Sequence, residues 1–457
     1  MCANSVEKHP CLQVCGANAG KDEIMIWNEA RECMSRDEMQ NMQSARLRKL
    51  VNNVYHNVEF YRKKMQELGL EPGDIKGIED IEKLPFTTKS DLRDNYPFGL
   101  LAVPQSQIVR VHASSGTTGK ATVVAYTRKD IELWQECVAR DLMMCNVTKE
   151  DIIQVAYGYG LFTGGLGLHY GAENLGCTTV PMSTGNTKRL VTMMEDFKAT
   201  AIACTPSYLL HIAEVIQEMD ALDKLSLKTA ICGAEPWTEK MRLQIEEKLH
   251  IHAHDIYGLS EICGPGVACD CEFHKGLHVQ DDHFFAEIVD RDTLKQVPDG
   301  TVGELVFTTL TKEGMPLLRY RTKDLTSIDH SPCECGRTTP RISRFKGRSD
   351  DMLIIRGVNV FPSQVETALL EIAGVTPHYL MIVDRVNNLD TLEVQVEVEE
   401  SFFSDEVKEM ENLTKKIAAA LQSAILIAVK VKLVEPRTLE RSAGKSVHVI
   451  DKRVLDE

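Results

Sequence analysis

The sequence predicts an α/β fold in two parts. A large N-terminal domain combines mostly parallel sheets and helices with a strand-rich subdomain, and a small α+β domain follows. Three observations lead to this division. The chain has 457 residues, more than one compact core accommodates. Residues 105–260 alternate short apolar runs with amphipathic segments, the pattern of a parallel sheet with crossover helices. A composition change at Gly347-Arg348-Ser349-Asp350-Asp351 introduces a tail of about 100 residues, within the usual size of a domain.

The elements follow in chain order. Residues 1–24 carry no continuous apolar core and no signal-peptide pattern, and are expected to form a flexible tail. Residues 25–70 are charged and helical in period, most clearly over Met39–Leu68. Ile108, Val109 and Val111 precede a polar heptad, and Val123, Val124 and Tyr126 follow it, so residues 108–126 predict strand–loop–strand. Strands are then expected at Ile152–Tyr157, Thr178–Pro181, Ala201–Thr205 and Thr229–Gly233, each leading into a helix. Residues 283–328 are strand-rich. The large domain is placed at 25–349 and the small one at 350–457. In the latter, Met352–Ile355, Tyr379–Val383, Leu392–Val398 and Val429–Val434 read as strands, with helices over Val365–Ile372 and Val407–Leu421.

Composition narrows the function. Hydrophobic and charged contents of 43% and 26% are those of a soluble globular protein. The net charge of −15 argues against a nucleic-acid or anionic-membrane partner, because such surfaces need clustered Lys and Arg. The stretch Ile417–Val434 is interrupted by Gln422, Ser423, Lys430 and Lys432, which suits a helix entering a strand and not a membrane span. With no secretory signal, the 14 cysteines are expected as thiols or metal ligands in a cytoplasmic protein.

The heptad Ser114-Ser115-Gly116-Thr117-Thr118-Gly119-Lys120 carries two glycines, four hydroxyls and a cation. Such a loop exposes backbone N–H groups to a polyanion, and its lysine adds a point charge. A polar hairpin tip fits the same letters. The spacing differs from that of the NTPase phosphate loop, since only two residues separate Gly116 from Gly119.

Further motifs lie downstream: Tyr257-Gly258-Leu259-Ser260-Glu261, Tyr320-Arg321-Thr322-Lys323-Asp324, Gly347–Asp351 and Arg441-Ser442-Ala443-Gly444-Lys445. This ordered set resembles the adenylate-forming acyl-CoA synthetase superfamily. The segments Tyr157–Gly165, Gly264-Pro265-Gly266-Val267 and Arg356–Pro362 narrow the resemblance to its phenylacetate–CoA ligase branch, over roughly residues 25–455.

The resemblance implies a two-step reaction. A carboxylate attacks the α-phosphate of ATP, giving acyl-AMP and pyrophosphate, and coenzyme A then displaces AMP. It places residues 114–120 on the β- and γ-phosphates, with Thr117, Thr118 and Lys120 in contact. Glu261 becomes the Mg²⁺ ligand, and Asp324 the acceptor of the ribose hydroxyls. Gly233-Ala234-Glu235-Pro236 and Asp255-Ile256-Tyr257, with Gly258 and Ser260, enclose the nucleotide, Tyr257 stacking on adenine. Arg348 contacts the nucleotide phosphate. Asp350 is the hinge of a mobile C-terminal domain, and Lys445 reaches the reacting carboxylate and α-phosphate.

An aryl acid is implied as substrate. Tyr157, Tyr159, Phe162 and the glycines Gly164, Gly165 and Gly167 are expected around it, the glycines leaving space and the aromatics facing a flat ring. His169 and Tyr170 are further candidates, although a buried turn packed with aromatics has the same letters. A homodimer is also implied. Two other classes share the motifs: an adenylyltransferase that stops at the nucleotide adduct, as with a deazaflavin coenzyme, and a non-catalytic nucleotide-binding protein. A binding module has no need of Lys445.

Cys269-Asp270-Cys271-Glu272-Phe273-His274 and Cys333-Glu334-Cys335 form two close groups far apart in sequence, as a structural Zn²⁺ site requires. Cys271, His274, Cys333 and Cys335 are the expected ligands, with Cys269 and His278 as substitutes and free buried thiols as the alternative. Such an ion would pin the two loops together near the interdomain face.

Overall fold

In the computed structural model, which describes residues 25–114, 121–349, 353–356, 358–386, 389–399, 407–441 and 447–453, the apolar runs form the spine of a nine-stranded sheet. Five neighbouring strands are parallel: Thr178–Val180, Ile152–Val155, Ala201–Cys204, Thr229–Gly233 and His252–Leu259. The helices Thr163–Leu175, Thr187–Asp196, Pro206–Glu218 and Glu239–Leu249 intervene between them in sequence. A parallel neighbour needs such a crossover. The central strands Ala201–Cys204 and Thr229–Gly233 are buried at every residue, which is why they read as unbroken apolar runs.

The sheet changes character after residue 259. Residues 260–279 contain no helix, so the chain folds straight back, and Gly264–Asp270 and Leu277–Val279 add on antiparallel. Arg341–Ile342 and Ile328–Asp329 complete that edge. The strand-rich segment forms a separate antiparallel sheet of Phe284–Val289, Gly303–Thr309, Tyr320–Thr326 and Gly347–Arg348. The polar heptad sits on an antiparallel hairpin, with Ile108–Ser114 against Thr122–Thr127 and Ser114 opposite Thr122.

The helical N-terminal pattern becomes Arg36–Asn57 and Glu59–Glu67, which bury Leu47, Leu50, Val51, Val54, Tyr61 and Met65 at three- and four-residue spacing. Among the described residues, no helix is long and apolar enough to cross a membrane.

The C-terminal domain has its own core of Ile355, Val365, Leu369, Met381, Val394, Ile417 and Leu421. Helices Pro362–Leu370 and Val407–Ile425 pack with a sheet ordered Lys430–Val434, Leu389–Val398, Val375–Val386 and Val449–Asp451. The helix-into-strand reading of residues 417–434 is met here. Gly347–Arg348 pairs with the large-domain strand Tyr320–Thr326, whereas Leu353–Ile355 opens the hairpin of the C-terminal domain. The N-terminal tail, Ser115–Lys120, Asp350 and Lys445 lie outside the described residues.

Candidate nucleotide and acyl site

The ends of two adjacent parallel strands carry the first site residues. Gly233 closes one strand and Asp255–Gly258 lie near the end of the next, so their loops open on the same side of the sheet. A cleft there is lined by Ala234, Glu235, Pro236, Asp255, Ile256, Tyr257, Gly258, Asp324 and Arg348, all assigned to the nucleotide from sequence. Gly233 lies beneath them, where a Cβ would stand 2.2 Å from the Ile256 carbonyl oxygen. Trp237, Leu259, Phe345 and Gly347 also line the cleft and escaped the sequence reading. Trp237 directly follows Pro236 and extends that motif by one residue.

The polar wall is organised around Asp324. The Tyr257 hydroxyl donates to its Oδ2 at 2.6 Å, and an Arg348 guanidinium nitrogen donates to its Oδ1 at 2.9 Å. The pairing of Asp324 with Arg348 across two strands fixes this geometry. Burial pushes the Tyr257 phenol well above its ordinary pKa, with the Asp324 charge adding, so it stays a neutral donor. The Tyr257 ring lies 4.5 Å from that of Phe345, tilted by 31°. Asp255 is also buried, and burial raises its carboxyl to about 7, with Arg344 lowering and Asp270 raising it. The backbone N–H of Asp255 donates to Asp270 Oδ1 at 3.0 Å.

The hairpin is tied to the Ser260–Cys263 turn. The Tyr126 hydroxyl donates to the carbonyls of Ser260 and Cys263 at 3.2 and 3.3 Å. Lys312, another residue missed from sequence, is buried beside them. Its Nζ donates to the carbonyls of Glu261 and Ile262 at 3.3 and 2.8 Å and sits 4.6 Å from the Tyr126 ring centroid. Burial lowers its pKa. Glu261 is buried, with Lys89 Nζ 3.8 Å from its carboxylate. The hairpin and the turn that bears the expected Mg²⁺ ligand are thus tied together.

The acyl segment is joined to the same hairpin, because Leu161 O accepts from the Ala113 N–H at 3.0 Å. Tyr157 is buried and its hydroxyl donates to Cys204 O at 2.6 Å. The Tyr159 hydroxyl lies 3.3 Å from His169 Nδ1. Tyr170 packs beneath the Arg110 guanidinium, and Phe162 is exposed at the start of helix Thr163–Leu175. The glycines serve packing and do not leave open space. A Cβ on Gly164 would stand 2.4 Å from the Phe162 ring, one on Gly165 2.6 Å from Gly158 O, and one on Gly167 2.5 Å from the Trp134 ring.

The cysteine cluster forms with one ligand exchanged. Cys271, His278, Cys333 and Cys335 are buried, with their ligand atoms all within 4.8 Å of one another. His274, the ligand expected from spacing, is not among them. It adopts a left-handed backbone at φ 49°, and its Nδ1 lies 2.8 Å from Asp270 Oδ2. His278 lies instead on the strand Leu277–Val279, opposite Cys269. Cys269 faces the core, with its sulfur 3.4 Å from that of Cys145. The cluster's neighbours are Phe273, Thr339 and the buried Arg337–Glu32 pair, so it borders the start of the described chain and not the interdomain face.

Fold and cleft together are those of an adenylate-forming ligase. The AMP-binding enzyme family matches residues 55–310, and the AMP-binding enzyme C-terminal domain matches residues 357–453. The chain is 48% identical to the phenylacetate–coenzyme A ligase of Thermus thermophilus, over 94% of this chain and 99% of that one. It is 47% identical to that of Escherichia coli, over 92% and 97%. It belongs to the phenylacetate–coenzyme A ligase family and is an AMP-forming acid–CoA ligase. A solved 2-hydroxyisobutyryl-CoA ligase in its postadenylation state is similar with a TM-score of 0.87, at 29% identity over 93% of this chain and 92% of that one. The same relative in its thioesterification state gives 0.69 over the same shares, at 30% identity.

Proposed function

We propose that the chain joins phenylacetate, or a close aryl-acid analogue, to coenzyme A at the expense of ATP. The carrying observation is that residues from four separate motifs line one cleft around Asp324. The acid's carboxylate oxygen attacks the α-phosphorus, the bond to the β-phosphate breaks, and pyrophosphate leaves. The coenzyme A thiol then loses its proton and attacks the acyl carbon, and the bond to AMP breaks. Asp324 orients the ribose, Lys120 and the heptad's N–H groups hold the triphosphate, and Lys445 offsets charge where two anions meet. Asp350 serves as the hinge between the two steps.

Glu261 suits Mg²⁺, since a buried carboxylate beside the triphosphate hairpin is a hard oxygen ligand. When bound, the ion offsets triphosphate charge. A homodimer in the cytoplasm completes this reading.

The cysteine cluster fits a structural Zn²⁺. Zn–S bonds of about 2.3 Å in a tetrahedron place two sulfurs about 3.8 Å apart. Cys271 and Cys333 sulfurs are 3.8 Å apart, and Cys335 Sγ is 3.4 Å from His278 Nε2. His278 Nδ1 lies 2.9 Å from Thr339 Oγ1, a partner that orients a ligating imidazole. Elemental analysis is expected to find one zinc per chain, lost in His278→Ala and kept in His274→Ala. Purified, metal-replete protein without zinc rejects the site.

The function is tested by acid-dependent pyrophosphate exchange across a panel of aryl acids, followed by CoA-dependent AMP release. Phenylacetate-type acids are expected to support both. AMP release indifferent to coenzyme A would make the protein an adenylyltransferase instead. Lys445→Ala is expected to slow exchange by about 100-fold or more. Thioester formation from preformed acyl-AMP should change little, and equal losses in both steps refute the lysine's role.

A further inference from the structure

Glu214 lies on the helix Pro206–Glu218, whose apolar side chains Leu209, Ile212 and Ile216 are sealed in a large-domain core. Its carboxylate faces the C-terminal domain. Oε1 is 3.4 Å from His378 Nε2 and 3.5 Å from an Arg441 guanidinium nitrogen, while Oε2 is 3.4 Å from His211 Nδ1 on its own helix. One turn on, Glu218 meets Arg437 at 2.6 Å. Residues four apart share a helix face. That face therefore meets the strand Val375–Val386 and the 437–441 segment, which leads directly to Lys445.

We propose that Glu214 is a positioning residue for adenylation: with His378 and Arg441 it latches the C-terminal domain, and the base of the lysine segment, in the orientation seen here. The inference rests on the two-step reaction proposed above. The whole chain matches the relative better in its postadenylation state, with a TM-score of 0.87, than in its thioesterification state, with 0.69. A contact made in only one of two orientations shifts their populations by its own free energy.

The contacts suit a latch that must also open. Glu397, buried within the C-terminal domain, grips Arg441 through both oxygens at 2.6 and 2.9 Å. That grip is internal to the domain and survives rotation. Glu214 likewise keeps His211. Neither charge is stranded when the latch parts, which avoids the large cost of leaving a buried ion unpaired.

The test uses Glu214→Gln and Glu214→Ala in the full-length enzyme. Acid-dependent pyrophosphate exchange and thioester formation from synthetic phenylacetyl-AMP are measured separately. Exchange is expected to fall at least about fivefold, the low end of ordinary coupling between states. Thioester formation is expected to hold or rise. Hydroxyl-radical footprinting supplies a readout free of chemistry, because Leu370 of the C-terminal domain is buried against the large-domain core cluster in the docked orientation. Its labelling is expected to rise in both variants, and more weakly in Glu218→Gln. Unchanged exchange, equal loss in both half-reactions, or unchanged Leu370 labelling in the near-isosteric Gln variant overturns the proposal. If no aryl acid supports exchange in the wild type, the functional reading fails, while Leu370 labelling still judges the latch.

Discussion

Asp324 is held in a fixed orientation by two side chains. A carboxylate offers about four acceptor positions, and the Tyr257 hydroxyl and Arg348 each take one to fix its plane. Tyr257 has a second duty, since its ring packs against Phe345 and Phe307. Tyr257→Phe separates the two duties by keeping the ring and deleting the donor. A hydrogen bond to a charged group contributes about 1.5–3 kcal/mol. The KM for ATP is therefore expected to rise roughly tenfold with the KM for the acid little changed, as steady-state kinetics with each substrate varied would show. Equal rises would mean that the hydroxyl serves the whole site. Other residues were harder to foresee. Lys312 sits in a Thr-Lys-Glu-Gly stretch that reads as surface, and its burial depends on Tyr126 and the Glu261–Ile262 carbonyls from distant segments. The Cys-x-x-His spacing favours His274 over the substitute His278. A left-handed residue decides between them by turning the His274 ring toward Asp270.

At the scale of elements, the strand His252–Leu259 lines the cleft through Asp255–Leu259, and the glycines of its hairpin with Gly264–Asp270 set how closely the two strands approach. A Cβ on Gly258 would lie 1.6 Å from Gly264 O, backbone against backbone, with no flexible side chain to yield. Gly258→Ala is expected to lower stability by more than about 2 kcal/mol and to abolish ATP binding. Gly158→Ala, with nothing within 4 Å of its Cβ, is expected to leave the melting temperature within a degree or two. Thermal melts of the pair check both. Four of the five parallel strands were legible because each is a short apolar run followed by a helix start. Thr205 caps its helix by accepting from the Tyr208 N–H, ahead of Pro206. The antiparallel edge was not legible. Leu277–Val279 pairs with the two-residue strand Arg341–Ile342, too short for any period and remote in sequence. The acyl glycines were misread for a related reason: a missing side chain looks like space until the neighbour that fills it is known.

Over the whole molecule, the two domains meet through helix Pro362–Leu370, which packs on helix Glu239–Leu249 and carries Glu366 into the joint. Neither the partner helix nor that burial is written in the helix's own sequence. Glu366 is 5% exposed and its Oε1 has no hydrogen-bond partner among the described residues. Burial raises its pKa to about 8, the Glu235 charge adds to this, and a bond with Thr238 lowers it. A free glutamate titrates near 4.3. The docked, folded state therefore holds this proton more tightly than the unfolded chain. The resulting stabilisation is complete below the ordinary carboxylate range and is lost as pH rises through about 8. Glu366→Gln fixes the neutral form. Wild type and variant are expected to melt together at about pH 4 or below, and the wild type to fall behind progressively and by several degrees at pH 9, a difference on the order of 1 kcal/mol or more. Asp255 and Asp281, both raised to about 7 by burial, titrate alike in the two proteins and cancel in the comparison. A constant gap from pH 5 to 9 would show that Glu366 keeps its charge in the joint. With the joint opening between half-reactions as proposed, the same deprotonation should favour the undocked orientation, and Leu370 labelling in the wild type should rise over the window in which its melting temperature falls.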